Sequence, residues 1–404
     1  MTHVSAQAFT LSSNIARLKE SATLAVAALA ASLRASGREI IELGVGEPDF
    51  ETPDFIRAAA KRAIDAGVGH YTATEGILPL REAIVADAAE LYRGPDRIDP
   101  RQVVVSTGSK QSLFNACFVL FGPGDEVLIP TPSWTSYFEM VTLARATPVS
   151  VPGDPDRSLK VSAESLAAAA TSRTRGIMLN SPTNPTGAVY DEEELAGILE
   201  LATERGWWLI SDEIYRQLSY DGRAPSLLEL ARERDRLIIV DGVAKAYAMT
   251  GWRIGWAIAP RAVSQAMVAL QSHTTSNASA VSQYAALAAL RERASAARAV
   301  GEMVAEFAAR RDDLLAQIRT EPRLPYVHPA GAFYLYLRVA AAYPSHQAPG
   351  SAFAQYLLDR HGIALVPGAA FGTPEWVRLS YAASRETLRV GTARLLSAFR
   401  ELAG

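Results

Sequence analysis

Residues 237–259 read LIIVDGVAKAYAMTGWRIGWAIA, and the fold prediction starts from this stretch. The apolar runs at 237–241 and 256–259 predict two buried strands. The turn between them carries Lys245 and, eight residues later, Arg253, with a glycine two residues to each side of the arginine. A lone lysine after a strand is usually a solvated charge, so its meaning depends on the rest of the chain.

The middle of the chain continues the alternation of apolar runs and helical patterns. Further strands are predicted at 103–106, 126–129, 148–151, 176–180 and 207–211, and helices at 110–121, 134–144, 162–170 and 192–205. Seven strands alternating with helices predict an α/β fold, in which a mainly parallel seven-stranded sheet is flanked by helices. Ligands of such sheets bind beyond the carboxyl ends of the strands.

The last third of the chain predicts a smaller α+β domain. A long helix is expected at 294–320, strands at 332–337, 364–366 and 377–380, and a closing helix at 385–402. The predicted organisation is an N-terminal arm at 1–18, a small domain made of 19–53 and 297–404, and a large ligand-binding domain at 54–296.

Composition excludes several classes of function. A net charge of -3 gives no reason to expect nucleic acid or an anionic membrane as a partner. The N-terminus lacks a secretory signal, and the apolar run at 24–33 is too short to span a bilayer. Cys117 is the only cysteine, which excludes an intramolecular disulfide and fits a cytoplasmic protein. The six histidines are scattered, so no metal site is expected.

Groups suited to a bound phosphate follow the strand at 103–106. Gly108 lets a ligand approach the backbone, and the helix that starts beside it offers unpaired N–H groups to an anion. With Arg253 on the other side, Gly108 and Ser109 predict a two-sided phosphate clamp. A simple capped helix start is the alternative.

Other side chains suit a flat aromatic ring. Trp134 would stack on such a ring, and Asp212, after a very apolar strand, would pair with a protonated ring nitrogen. Asn184, in the rigid turn SPTNPTG at 181–187, and Tyr215 would bind a ring oxygen. The alternatives are a core aromatic residue for Trp134 and a helix N-cap for Asp212.

Arg378 lies inside the apolar segment VRLSY at 377–381. A buried arginine needs an anionic partner, and an α-carboxylate suits its two-pronged guanidinium. An edge-strand arginine that reaches solvent is the alternative. Lys245 offers an amine that can react with an aldehyde, and Gly108, Ser109 and Arg253 offer a site for a phosphate. A cofactor that has both groups on an aromatic ring is pyridoxal 5'-phosphate, which the sequence therefore predicts.

The whole set resembles the class I/II aminotransferases of fold type I. The resemblance rests on GVGEPDF at 44–50, the Asn-Pro-Thr-Gly turn at 184–187, Asp212 with Tyr215, the turn from Lys245 to Arg253, and Arg378. These pieces follow the family's order from about residue 18 to the end of the chain. More narrowly, the chain resembles the bacterial aspartate aminotransferases of subgroup 1-gamma, some of which also transaminate prephenate.

The resemblance implies roles for these residues. Lys245 forms a Schiff base with the cofactor and moves the proton, and Tyr71 reaches the phosphate of the neighbouring subunit, so that the active sites of a homodimer lie at the subunit interface. The Gly46 backbone and Arg378 take the substrate α-carboxylate. The expected cofactor contacts are Tyr71, Gly108, Ser109, Lys110, Trp134, Asn184, Asp212, Tyr215, Lys245 and Arg253, and Trp134 and Asn184 are expected to contact the substrate as well.

The resemblance also implies an acidic substrate. Lys110 matches a lysine that helps to bind the distal carboxylate of aspartate, and Lys19 matches a basic position tied to the second acidic substrate and to prephenate. The expected reaction is a ping-pong transamination between aspartate and 2-oxoglutarate, with prephenate as a further substrate. For the two lysines, the alternative is that they are solvated surface residues. For the substrate, the alternatives are aromatic or other amino acids. For the reaction, they are β-elimination, decarboxylation or oxidation on the same scaffold.

The chain departs from the family's pattern at four positions. Glu20 stands where proline is frequent and would weaken the field of Lys19. Ala244 replaces a common serine, which removes one phosphate contact. Asp241 replaces a common asparagine and Asn277 a common proline. These departures would suit a specialised substrate.

Overall fold

The computed structural model describes Ser12, Ile15, Leu18 and residues 22–91, 98–232 and 234–404. Its strands are β1 (Ile41–Glu42), β2 (Val103–Thr107), β3 (Glu126–Thr131), β4 (Thr147–Pro152), β5 (Thr174–Asn180), β6 (Trp208–Asp212), β7 (Leu237–Gly242), β8 (Ile254–Ile258), β9 (Tyr326–Val327), β10 (Tyr334–Arg338), β11 (Ile363–Ala364), β12 (Val366–Pro367) and β13 (Trp376–Ser380). Its α-helices are α1 (Ala22–Ala35), α2 (Asp54–Asp65), α3 (Leu78–Leu91), α4 (Ser109–Leu120), α5 (Ser136–Leu143), α6 (Ala163–Ala169), α7 (Glu192–Glu204), α8 (Leu227–Leu230), α9 (Arg261–Ser272), α10 (Ala280–Arg291), α11 (Arg293–Ile318), α12 (Pro349–Tyr356) and α13 (Arg385–Ala403).

Strands β2 to β8 form one seven-stranded sheet in the order β2-β8-β7-β6-β5-β3-β4. The neighbours β3–β4, β3–β5, β5–β6 and β6–β7 are parallel. Strand β8 runs antiparallel to both β2 and β7. The prediction of a mainly parallel seven-stranded sheet is therefore confirmed, with β8 as its antiparallel member.

Both faces of the large sheet are covered, which explains why its strands read as continuous apolar runs. In β7, Ile239 packs in the core on one face, while Ile238 and Val240 pack in the core on the other face. All six residues of β7 are buried. A strand that is buried on both faces has no polar side to alternate with, so an apolar run is what its sequence requires.

The C-terminal part has its own sheet and core. Strands β12, β13, β10 and β9 form an antiparallel sheet in that order, and Phe307 of α11 and Phe399 of α13 are fully buried against it. Strand β1 pairs in parallel with β11, so the described chain around Ile41–Glu42 docks on this C-terminal part. The α+β character is confirmed, whereas the predicted boundaries at 18, 53 and 296 stay a prediction.

Several strands of the large sheet end at one edge. Parallel strands β5, β6 and β7 end there at Asn180, Asp212 and Gly242, and β2 ends there at Thr107. Helix α4 starts directly after β2, with Gly108 as its N-cap. This edge therefore collects the ends of four large-sheet strands that the sequence marked with a candidate functional side chain at or just after the strand end.

Candidate active site

A cavity of about 580 Å³ opens at this edge. The predicted site residues that line it are Gly46, Ser109, Lys110, Trp134, Asn184, Asp212, Tyr215, Lys245, Arg253 and Arg378. Tyr71 does not reach the cavity of its own chain and is 91% exposed. Lys19, the second predicted specificity lysine, lies outside the described residues, as does Glu20.

The Lys245 amine lies in this cavity, on the turn that follows β7. Its Nζ donates a hydrogen bond of 2.5 Å to the carbonyl oxygen of Gly46. Burial lowers the pKa of Lys245 to about 8; the Glu47 carboxylate opposes this shift, and the guanidinium groups of Arg378 and Arg253 add to it. More of the amine is therefore neutral near pH 7 than on a surface lysine, as a nucleophile or a general base requires.

Gly108 lies beside Arg253, which lines the cavity. Gly108 has φ 82°, and a Cβ on it would lie 2.4 Å from Nη2 of Arg253, so only glycine fits there. Nη1 of Arg253 donates to the carbonyl oxygen of Thr250 at 2.9 Å, and the Ser109 hydroxyl donates to that of Asp241 at 2.9 Å. A fixed guanidinium thus faces the N-terminus of α4, where unpaired N–H groups favour an anion.

Asp212 supplies a buried carboxylate, with only 3% of the residue exposed. Its Oδ2 accepts a hydrogen bond of 2.7 Å from the Tyr137 hydroxyl, and its Oδ1 accepts one of 3.2 Å from the Ile214 N–H. Burial raises the pKa of Asp212 to about 6, while these hydrogen bonds and the positive charge of Lys245 oppose the rise. A buried carboxylate beside a cavity suits a positively charged N–H group of a ligand.

Asn184 lies in the turn after β5, and Tyr215 lies in the turn after β6. Oδ1 of Asn184 accepts a hydrogen bond of 2.9 Å from Nη1 of Arg378, and its N–H donates to Oδ1 of Asn180 at 2.8 Å. The Tyr215 hydroxyl lies 2.9 Å from that of Tyr334. Both predicted ring-oxygen ligands are therefore held in place by protein partners.

Arg378 is a buried cation, and only 1% of it is exposed. Its Nη2 donates to the carbonyl oxygen of Gly44 at 2.8 Å, and its guanidinium lies 4.3 Å from the ring centroid of Tyr334 and 5.1 Å from that of Phe371. Burial lowers its pKa. Among the described residues no carboxylate forms an ion pair with Arg378, and its Nε lacks a hydrogen-bond partner. An anionic ligand would balance this charge.

Trp134 and Lys110 line the cavity side by side. Nζ of Lys110 lies 4.7 Å from the ring centroid of Trp134. Burial lowers the pKa of Lys110, and the Arg253 guanidinium adds to this effect. The indole also packs edge-on against the Tyr137 ring, with centroids 5.4 Å apart and an interplanar angle of 89°. The structure therefore places the predicted substrate lysine, Lys110, against the predicted ring-stacking residue, Trp134.

Comparison with known proteins assigns the chain to a family. The sequence pattern of the family described as "Aminotransferase class I and II" matches residues 38–395. The chain belongs to this aminotransferase family. The resemblance drawn from the motifs is thereby confirmed.

Individual aminotransferases match over nearly the whole chain. An aspartate/prephenate aminotransferase of Cereibacter sphaeroides is 43% identical over 395 residues, which is 95% of this chain and 97% of that protein. An aspartate aminotransferase of Geobacillus stearothermophilus is 41% identical, with 95% and 98% covered. The solved structure of the Thermus thermophilus aspartate aminotransferase with maleate superposes with a TM-score of 0.92 at 38% identity and covers 96% and 100% of the two chains.

The departures from the aminotransferase pattern have different surroundings. Asp241 is 6% exposed, and its Oδ1 accepts a hydrogen bond of 2.7 Å from the Gly242 N–H. Ala244 is buried in the cavity wall. Asn277 donates from its amide to the carbonyl oxygen of Ala278 at 2.8 Å. Of these three described positions, Asp241 alone brings a new ionisable group into the interior.

Two tyrosines of the aminotransferase site were missed in the sequence. Tyr137, inside the predicted helix 134–144, holds Asp212, and Tyr334, inside the predicted strand 332–337, lies beside Tyr215 and Arg378. Tyr137 follows Trp134 by three residues, and this helical spacing is the signal that could have placed both on one face.

The structure also bears on other classes of site. Within the described ranges, no three His, Cys, Asp or Glu side chains group closely enough to hold a metal ion. No helix in those ranges is both long and apolar enough to cross a membrane. The functional proposal therefore concerns the cavity.

Proposed function

We propose that this chain transaminates aspartate with 2-oxoglutarate, with pyridoxal 5'-phosphate bound in the cavity. The observation that carries the proposal is the meeting of the Lys245 amine, the Arg253 guanidinium and the Asp212 carboxylate in one cavity. The choice of aspartate is supported by the names of the relatives, several of which are aspartate aminotransferases.

The donor groups of the cavity fit this cofactor. Gly108 leaves open the space in front of Arg253 that a side chain would fill, so a phosphate would sit between the guanidinium and the start of α4. Asp212 would pair with the protonated ring nitrogen, and Trp134 offers a flat face to the ring. When bound, pyridoxal phosphate supplies an electron-withdrawing ring that stabilises negative charge at the substrate Cα.

Lys245 would move the proton of the reaction. With a pKa of about 8, its amine is matched to neutral or slightly alkaline conditions, where it can both accept and return a proton at the substrate Cα. The Gly46 carbonyl oxygen, 2.5 Å away, holds the amine at the substrate side of the cavity. Asn184 and Tyr215 would orient the ring through its hydroxyl oxygen.

Two cationic groups would select the substrate. Arg378 would bind the α-carboxylate, because it is buried and, within the described part of the chain, its hydrogen bonds go to Asn184 and the Gly44 carbonyl and not to a carboxylate. Lys110, over the indole of Trp134, would attract the distal carboxylate. Lys19 would add the preference for the second acidic substrate and for prephenate. Aromatic or other amino acids, and another reaction of the same cofactor, remain the second candidates.

We also propose a cytoplasmic homodimer with shared active sites. A tyrosine ring that is 91% exposed, as in Tyr71, leaves apolar surface in water unless a partner covers it. In a second copy of the chain, this hydroxyl would reach the phosphate beside Arg253. The single cysteine, Cys117, is buried and fits a reducing compartment.

A half-reaction with one amino acid tests the substrate. Aspartate alone, mixed with the cofactor-loaded protein, should change the visible absorbance of the cofactor fully and reversibly, and 2-oxoglutarate should restore it. Phenylalanine should act at least tenfold more slowly. Conversion by phenylalanine without conversion by aspartate would refute the aspartate assignment, and ammonia or pyruvate release would indicate another reaction.

Mixed subunits test the shared site. The variants Tyr71→Ala and Lys245→Ala should each have little activity alone. After they are unfolded and refolded together, one site of each mixed dimer would combine an intact Lys245 with an intact Tyr71 from its partner. Activity above that of both separate variants is expected; the absence of recovery in a proven mixed dimer would contradict a shared site.

A further inference from the structure

The Asp212 carboxylate depends on one side chain from a distant part of the sequence. Tyr137, in the first turn of α5, is 2% exposed, and its hydroxyl donates to Oδ2 of Asp212 at 2.7 Å. The other carboxylate oxygen accepts from the Ile214 N–H at 3.2 Å. A short phenol–carboxylate hydrogen bond is charge-assisted and stronger than one between neutral groups.

The surroundings of this pair determine where the proton lies. The charged group that faces Asp212 is the Lys245 amine, and the phenols of Tyr215 and Tyr334 lie near Tyr137. Burial, together with the negative charge of Asp212, raises the pKa of Tyr137 well above its ordinary value. The phenol therefore keeps its proton over the working range of pH and acts as the donor to an ionised Asp212.

Tyr137 also contacts the second side chain that faces the ring of the cofactor. Its own ring packs edge-on against Trp134, with 5.4 Å between the centroids. Edge-to-face packing restricts the orientation of both rings. One residue thus fixes the carboxylate at one side of the cavity and the indole at another.

We propose that Tyr137 is a positioning residue that keeps Asp212 ionised and directed at the ring nitrogen of the cofactor. This role rests on the proposed function, because it presupposes pyridoxal phosphate in the cavity. Tyr137 itself acts through Asp212 and Trp134 and does not touch the reacting atoms. Without its phenol, Asp212 would keep one hydrogen-bond donor and lose its charge at a higher pH.

The direct test is a titration of Asp212 in the full-length chain without cofactor. Carbon-13 NMR of labelled aspartate carboxyl groups, assigned with Asp212→Asn, should give a pKa of about 6 in the parent. In Tyr137→Phe it should rise to about 7 or above, since a hydrogen bond to a charged group is worth about one pKa unit or more. The control Tyr190→Phe removes another buried phenol, which accepts from the Val161 N–H, and should leave Asp212 unchanged.

A second readout uses cofactor affinity. The dissociation constant for pyridoxal 5'-phosphate, measured by ultrafiltration, should rise about tenfold in Tyr137→Phe near pH 7, and the loss should shrink as the pH rises. The KM for aspartate should change less, because Arg378 binds the substrate separately. A loss of affinity that is equal at all pH values, as a purely structural defect would give, would overturn the proposal, as would an unchanged Asp212 pKa.

A third variant keeps the proposal testable if Tyr137→Phe does not fold. A more acidic difluorotyrosine at position 137 is a stronger donor of nearly the same shape and should lower the pKa of Asp212; no change would overturn the proposal. If the parent itself does not bind pyridoxal phosphate, the proposed function fails. The cofactor-free titration still decides whether Tyr137 holds the charge on Asp212.

Discussion

Replacing Asp241 by asparagine should stabilise the protein, increasingly so as the pH rises. Asp241 is buried in β7, with the charged groups of Arg216, Glu213 and Asp87 around it. Burial raises the pKa of Asp241 well above its ordinary value; Arg216 opposes the rise, and the like charges of Glu213 and Asp87 add to it. Burial also raises the pKa of Glu213 and brings that of Asp87 to about 6. Three carboxyl groups thus lie near the Arg216 guanidinium, and only Asp87 among them also has Arg293 nearby.

The size of the effect follows from proton linkage. When folding raises the pKa of a carboxyl group, that group's contribution to the free energy of unfolding is greatest below the unfolded-state pKa of about 4. The contribution falls as the pH rises from there toward the folded-state pKa. The loss is about 1.4 kcal/mol per pH unit. An asparagine at this position has the same shape, can still accept from the Gly242 N–H, and escapes the loss. Above pH 5 the two proteins should therefore diverge by up to about 1.4 kcal/mol for each pH unit over which Asp241 stays protonated in the folded state.

Thermal unfolding measures this divergence. At an unfolding entropy of about 2.1 cal/mol/K per residue, the 404 residues make the difference in Tm grow by up to about 1.6 °C per pH unit. Circular dichroism of parent and Asp241→Asn at pH 5, 6, 7 and 8 gives the curve, with Asp235→Asn, an exposed acid just before β7, as the control. If Asp241→Asn is less stable than the parent at pH 8, Asp241 is an ionised partner of Arg216 and the reasoning is wrong.

Three further predictions concern the cavity. Gly108→Ala should weaken cofactor binding at least about tenfold, because its Cβ would lie 2.4 Å from Nη2 of Arg253. Equilibrium binding of the cofactor measures this loss. Gly251→Ala is the control, since its Cβ would meet no atom within 4 Å. Arg378→Lys should raise the KM for aspartate roughly a hundredfold through loss of the two-pronged contact, and unchanged steady-state kinetics would contradict an α-carboxylate site. The rate at which Lys245 is acetylated in the cofactor-free protein can be followed by mass spectrometry. This rate should increase with pH and reach half its maximum near pH 8, because the amine loses its proton there. A midpoint above pH 10 would contradict a lowered pKa for Lys245.

The strands could be predicted because burial on both faces leaves a continuous apolar run. The run at 237–241 became β7 (Leu237–Gly242), and the run at 207–211 became β6 (Trp208–Asp212), one residue later. The candidate side chains could be found because they follow such runs, where parallel strands end at a common edge. Their presence around one cavity agrees with that expectation, while their individual roles stay a prediction.

Contacts between distant segments could not be read from the sequence. The bond between Tyr137 and Asp212 joins residues 75 positions apart, and that between Asn184 and Arg378 spans 194 positions. Periodicity reports only which face of an element is apolar, so it contains no information on such pairs. For the same reason, the antiparallel direction of β8 and the burial of Asp241 among other charges became apparent only in the folded chain.

The antiparallel pairing of β7 with β8 has a consequence for how the site is encoded. Because Gly242 pairs with Gly255, Lys245 and Arg253 lie on one hairpin, and the spacing between amine and guanidinium is a local property with low contact order. Arg378, by contrast, reaches the cavity only after the C-terminal sheet has assembled. Two of the residues proposed to hold the cofactor thus lie in one contiguous segment, and the residue proposed to bind the substrate lies in a separate sheet, so that either set could change in evolution while the other keeps its geometry.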